Sequence, residues 1–367
     1  MQLSTRILQR ASAVLSVFVL VQVSVCLAGT DTVLGTAGKF RSLKVENCGK
    51  PFAAQKEGAC DPAPVSDALT ATEKIVAHLA RAERLVSLMR FQQARQAVDE
   101  ALTLDPESVS ALKFSTRLAL FMGDNDTAWR HINAAIKIKP DDSDLLATRA
   151  EMHWGHQETV IALQDAAMAI RLNPKNTDAF RIRGRIFMVA GQLDQALTDW
   201  NAALALEPDF DLVRLFRAQT NLRLGNFNAA IDDASIILAQ KPRDISALEV
   251  RAFAYGAEGK LDQAVEDLDG LLDERAGGAA RDRMLRPMLL QRMILLFRLD
   301  REDEGRRDME ALLSGGGTSG VLQMQLFLRK NGYPDVQIDG RRSERLEHAI
   351  LACTSNPSCL QALSQRI

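Results

Sequence analysis

Small side chains recur along this chain every 34 residues, in two series. Ala82, Thr116, Ala150, Gly184, Ala218 and Ala252 make up the first. Ala94, Ala128, Ala162, Ala196, Ala230 and Ala264, each 12 positions further on, make up the second. Prolines keep the same interval: Pro106, Pro140, Pro174, Pro208 and Pro242. A fixed period of this length marks a stacked array of helix–turn–helix pairs. The two small residues of each unit sit where one helix crosses the other, because only small side chains let the axes approach. Gly123, Gly191, Gly225 and Gly259 fall where the first helix ends, a position that favours a left-handed backbone; Met89 and Gln157 stand there in two units. Each proline ends the second helix, which it cannot continue.

This pattern predicts units near 75–108, 109–142, 143–176, 177–210, 211–244 and 245–278. A degenerate seventh pair follows at 282–313, out of phase, with helices near Met284–Arg298 and Glu302–Leu313 and Gly305 at the crossing. The whole array is placed at 67–313, and Thr70-x-x-Glu73 offers a capping box at its start. Residues 29–66 read as an extended lead segment, and 314–320 (Ser-Gly-Gly-Gly-Thr-Ser-Gly) as a flexible linker by composition.

Residues 75–278 resemble consecutive tetratricopeptide repeats. The unit from Thr177 to Phe210 carries the resemblance best, with Phe180, Gly184, Phe187, Gly191, Ala196, Trp200, Ala203 and Pro208 in the family's spacing. The expected fold is therefore all-α, a right-handed superhelical solenoid of six to seven repeats with a small helical C-terminal module. Residues 321–353 resemble the first half of the helical peptidoglycan-binding domain through Met324-Gln325, Leu328, Gly332-Tyr333 and Ile338-Asp339-Gly340. They depart from it at Arg341-Arg342-Ser343 and Ala352-Cys353. The alternative is a plain cap on the last repeat.

Residues 1–28 place Arg6 and Arg10 before an apolar run ending in Cys26-Leu27-Ala28, the arrangement of a secretory signal. The run is interrupted by Gln22 and is short for a membrane span, which needs about 20 residues. Cleavage takes the basic count from 45 to 43 against 47 acids, so the mature net charge of −4 gives no footprint for nucleic acid. Cys48, Cys60, Cys353 and Cys359 remain, all outside the repeats. They predict two local bridges in an oxidising compartment, Cys48–Cys60 and Cys353–Cys359; a four-thiolate zinc site would want C-x-x-C spacing, which is missing.

Arg149, Arg183, Arg217, Arg251 and Arg292 lie in first helices, and in each unit an aspartate follows 16 residues later: Asp165, Asp199, Asp233, Asp267 and Asp308. In the second unit both members change together, to Ser115 and His131; in the first, Arg81 stays but Ala97 replaces the acid. These predict intra-repeat ion pairs of architectural role. The remaining first-helix positions line a concave face: Lys113, Arg117 and Phe121; Glu151 and Trp154; Arg181 and Arg185; Gln219 and Arg223; Glu249 and Phe253. Aromatics not needed by the core and a central basic patch suit a peptide with acidic groups and an apolar anchor; a solvated face with no ligand is the other reading. The chaperone-tail clamp of some family members needs Lys then Asn one turn on, and Arg117 follows Lys113 here. His153 and His156, flanked by Glu151 and Glu158, read as a core or capping pair. No nucleophile elbow, phosphate loop or zincin motif occurs, so no enzyme, cofactor or metal is expected. The expected function is a protein-interaction scaffold of the bacterial cell envelope, in the periplasm or secreted, with a protein or peptide partner. Wall association through the C-terminal module is the alternative, and a hydrolase the remote third.

Overall fold

The computed structural model describes residues 69–275, 282–315, 317–356 and 358–359. The signal, the lead segment and the Cys48–Cys60 pair lie outside them. The chain divides into two compact units between Ile186 and Phe187, and sixteen helices occur among the described residues.

The first unit holds α1 (Ala71–Ser87), α2 (Phe91–Leu104), α3 (Val109–Met122), α4 (Asn125–Ile138), α5 (Ser143–Gly155), α6 (Thr159–Leu172) and most of α7 (Thr177–Val189). Consecutive helices pack as antiparallel pairs. Ala82, Ala94, Thr116, Ala128, Ala150 and Ala162 are wholly buried at the crossings, and a larger side chain there would force the axes apart. Thr70 opens α1 with a complete capping box: its backbone N–H donates to Glu73 at 2.9 Å and its hydroxyl accepts from the Glu73 N–H. The second unit holds α8 (Leu193–Leu206), α9 (Asp211–Leu224), α10 (Phe227–Gln240), α11 (Ile245–Glu258), α12 (Leu261–Arg275), α13 (Asp282–Arg298), α14 (Glu302–Gly315), α15 (Gly317–Lys330) and α16 (Glu344–Thr354). Trp200 is fully buried and donates its indole N–H to the Thr220 hydroxyl at 3.0 Å.

Each recurring proline follows the residue that closes a second helix. Asp105, Lys139, Asn173, Glu207 and Lys241 have φ between −148° and −130° and ψ between 77° and 98°. The proline ring excludes the helical region for the residue before it, so the chain leaves the helix there. First helices end in a left-handed residue, with φ of 76–79° at Gly123, Gly191, Gly225 and Gly259. Met89 and Gln157 adopt φ of 61° and 64° at the same position, and both close the same paired bonds: Arg90 N–H to Leu85 O and Glu158 N–H to His153 O. The backbone conformation therefore belongs to the motif, not to glycine. A side chain in that region costs about 1–2 kcal/mol, partly offset by glycine's greater unfolded-state entropy. Gln157→Gly is thus expected to stabilise the first unit by about 1 kcal/mol, read as a raised denaturation midpoint at unchanged m-value.

The Gly-rich stretch at 314–320 differs from its reading as a flexible linker. Residues 314–315 close α14 and 317–320 open α15. Among the described residues, the module beyond shares its core with the last helix pair of the array. Val321, Phe327, Leu328, Leu346, Ile350 and Cys353 pack in one cluster with Leu290 and Met293 of α13 and Met309, Leu312 and Leu313 of α14. The gain from burying that face outweighs the weak helix propensity of the glycines. Cys353 and Cys359 are bridged at the end of this cluster. Gly305 is approached by the Phe297 ring, which a β-carbon would meet at 3.0 Å.

Candidate partner-binding surface

In the first unit the surface is carried by the first helices of successive pairs, α3, α5 and α7. Lys113 on α3 reaches Asp144 on α5 with its Nζ at 2.5 Å from Oδ2. Asp144 also accepts from Asn176 Nδ2 at 3.1 Å, so one carboxylate ties α3 and α5 to the turn that leads into α7. Arg117, Phe121, Trp154 and Arg185 are half-buried. Burial pulls Arg117 below the ordinary arginine value, against the opposing charges of Glu83, Asp178 and Asp144.

Two residues expected to face a ligand do not. Arg181 is 1% exposed and its guanidinium grips the Glu151 carboxylate with two bonds of 3.2 and 3.0 Å; Glu151 is itself buried. Asp178 Oδ1 lies 3.5 Å from Arg181 Nε, and Arg185 Nη1 lies 3.8 Å from Glu151 Oε1. Burial alone would lower the Arg181 pKa, but the charges of Glu151 and Asp178 outweigh it and hold it above the ordinary value. The pair fastens α7 to α5. Its separation of 30 is one repeat less one helical turn, so it links neighbouring repeats; Lys241–Asp211, also 30 apart and at 2.6 Å in the second unit, instead joins the two ends of a single repeat. The aromatics are also less available than a ligand-only role would require. Phe121 stacks on Phe91 at 4.6 Å between centroids, and Trp154 packs against the core of α5, α6 and α7. In the second unit Gln219 and Arg223 on α9, and Glu249 and Phe253 on α11, are half-buried. Arg223 donates Nη1 at 2.8 Å to the Met188 carbonyl, which also accepts from the Gly191 N–H at the end of α7.

The arginine–aspartate pairs lie away from this surface and are two-pronged. Arg149 meets Asp165 at 2.7 and 2.8 Å, Arg217 meets Asp233 at 2.8 and 2.7 Å, Arg251 meets Asp267 at 2.8 and 2.7 Å, and Arg292 meets Asp308 at 2.8 and 2.6 Å. Hydrogen bonding to the partner aspartate raises the pKa of each arginine. Arg183 and Asp199 fall on either side of the division between the units. In the second repeat His131 Nδ1 and the Ser115 hydroxyl share a bond of 2.8 Å, so the exchange of both members keeps the link. The sequence reading missed a third prong. Nη1 of Arg217, Arg251 and Arg292 reaches back to Asn201, Ser235 and Asp269 in the preceding repeat, at 2.9, 3.3 and 2.6 Å. Each of these stands two residues after a ladder aspartate.

His153 Nδ1 lies 2.5 Å from Glu158 Oε2, and His156 Nε2 accepts from the Trp129 indole N–H at 3.2 Å. Among the described residues no group of three or more His, Cys, Asp or Glu side chains is placed to hold a metal ion, and no helix is long and apolar enough to cross a membrane.

Comparison with known proteins agrees with this architecture. The tetratricopeptide repeat family model matches residues 182–245. A model described as ChAPs, Chs5p-Arf1p-binding proteins, matches residues 62–211. No curated protein matches. Among solved structures, the APC/C hetero-tetramer Cut9–Hcn1 superposes with a TM-score of 0.53 at 16% identity, over 59% of this chain and 43% of that one. Pseudomonas aeruginosa PilF superposes with a TM-score of 0.52 at 15% identity, over 58% of this chain and 97% of that one. Residues 182–245 carry the tetratricopeptide signature, and the helices pack in sequential pairs as in tetratricopeptide-repeat structures, a fold that generally serves protein–protein interaction; no catalytic domain is matched.

Proposed function

We propose that the protein is a non-enzymatic scaffold of the bacterial cell envelope that binds a segment of a partner protein on the first-helix face of its repeats. The observation that carries this is the arrangement over α3, α5 and α7. Arg117, Phe121, Trp154 and Arg185 are large, half-buried and backed by the buried Glu151–Arg181 pair. Side chains fixed in this way lose little conformational freedom on binding, and aromatic and arginine residues supply most hot spots once desolvated. The cations favour an acidic partner and salt-sensitive binding. The Cys353–Cys359 bridge supports an oxidising compartment and hence export.

Trp154→Ala/Arg185→Ala is expected to lower capture of the partner by the mature protein at least tenfold, read by affinity purification with quantitative mass spectrometry. The far-UV melting transition should move little. Normal capture by the double variant would remove this face as the site. The second reading, wall association, is favoured by Gln325. It is 1% exposed, accepts from the Asp339 and Gly340 N–H groups at 3.1 and 2.9 Å, and donates to Asp339 Oδ1 at 2.9 Å. These are the residues that carry the peptidoglycan-binding resemblance. Sedimentation of the mature protein with isolated sacculi distinguishes the two: retention that survives the groove variant places binding in the module.

A further inference from the structure

The outer face of α6 departs from the rest of the array. Val160 and Ile161 occupy positions held by Gln92-Gln93 in α2, Asp126-Thr127 in α4, Asp194-Gln195 in α8 and Asn228-Ala229 in α10. They are 68% and 41% exposed, and Met168 and Leu172 further along are 41% and 42% exposed. With exposed Gln164 between them, these residues recur every three or four positions and form one stripe. A contiguous apolar stripe in water is stabilised by being covered. The stripe lies on the second helix of its pair and is independent of the first-helix surface described above.

We propose that this face pairs with α6 of a second copy of the chain, the two helices running antiparallel about a twofold axis at Gln164. The distribution of charge selects this occupant and this direction. Glu158 stands at the N-terminal end of α6 and Arg171 at the C-terminal end, where its Nη2 contacts the Met168 sulfur at 3.4 Å. Reversed pairing brings Glu158 of each copy to Arg171 of the other, whereas parallel pairing sets like charge on like charge. It also matches Val160 with Met168, four residues either side of the axis, and opposes the two helix dipoles. An isologous contact of this kind is closed and makes a dimer. One helix face per copy buries less than the roughly 1,200–2,000 Å² of a stable complex, so the dimer is weak and its population depends on chain concentration.

The test uses the full mature chain. In sedimentation velocity from about 10 μM to about 1 mM, the weight-average coefficient should rise with concentration, and Val160→Glu/Met168→Glu should raise Kd at least tenfold with an unchanged thermal midpoint. Gln164→Cys should cross-link to a covalent dimer through the new thiol under mild oxidation, as mapped by mass spectrometry. Thr159→Cys should not, because antiparallel pairing separates the two copies of that residue by about 15 Å along the helix. A chain that stays monomeric throughout would overturn the proposal. So would a dimer indifferent to Val160→Glu/Met168→Glu, or equal cross-linking of both cysteine variants, which would mark a parallel or unspecific contact.

Discussion

Asp233→Ala is expected to destabilise the second unit by about 3 kcal/mol and to lower its melting temperature by about 6–12 °C. Asp233 is 4% exposed. It accepts two bonds from Arg217, at 2.8 and 2.7 Å, and lies 3.6 Å from Arg214. Removing the carboxylate leaves a partly buried guanidinium without its main counter-charge, and breaking such a pair on one side costs about 3–5 kcal/mol. The Arg217 side chain is 24% exposed, so water recovers part of its solvation and the low end applies. Replacing both members, as Arg217→Met/Asp233→Leu, should return part of the loss: the Arg217 charge goes with its partner, while Arg214 keeps its bond to the Pro208 carbonyl but loses its ion-pair partner. Chemical denaturation followed by circular dichroism checks both. A loss below about 0.5 kcal/mol for the single variant would rank the pair with ordinary surface ion pairs.

Gly340→Ala is the second large effect, at about 3 kcal/mol. Two independent costs add there. Gly340 has φ of +69°, and its β-carbon would stand 2.6 Å from Thr318 Cγ2 and 3.2 Å from Leu322 Cγ. A left-handed alanine costs about 1–2 kcal/mol and a forced contact in a packed region about 1–3 kcal/mol. Thr318 is β-branched and stiff in a helix, so it yields poorly. Because Val321 and Val336, on the two segments that meet here, belong to the cluster shared with α13 and α14, the loss should appear in the melting of that whole region and in faster proteolysis near 330–345. A shift under about 0.5 kcal/mol would show that Thr318 rotates aside and that the glycine is dispensable.

Within one repeat the sequence was legible, because spacing along a helical hairpin fixes which side chains meet. A separation of 12 marks the crossing pair, 16 marks arginine and aspartate on facing turns, and 34 marks the proline that ends each unit. The left-handed cap was legible too, although only the backbone of Met89 and Gln157 shows that the conformation persists without glycine. What the sequence left open lies between repeats. Whether Arg181 faces a ligand or turns to bury itself on Glu151 depends on the angle between successive hairpins. That angle comes from the summed packing of alanines, leucines and aromatics and is written in no local pattern. The same angle decides that Arg217, Arg251 and Arg292 reach back to Asn201, Ser235 and Asp269. The glycines at 315, 317 and 320 read as flexible by composition, yet they close or open helices there because burial of Val321, Phe327 and Leu328 against α13 and α14 overrides a propensity of about 1 kcal/mol per residue. Local periodicity determined the repeat and its internal bonds. Packing between repeats decided which of the remaining charges became structure and which stayed on the surface.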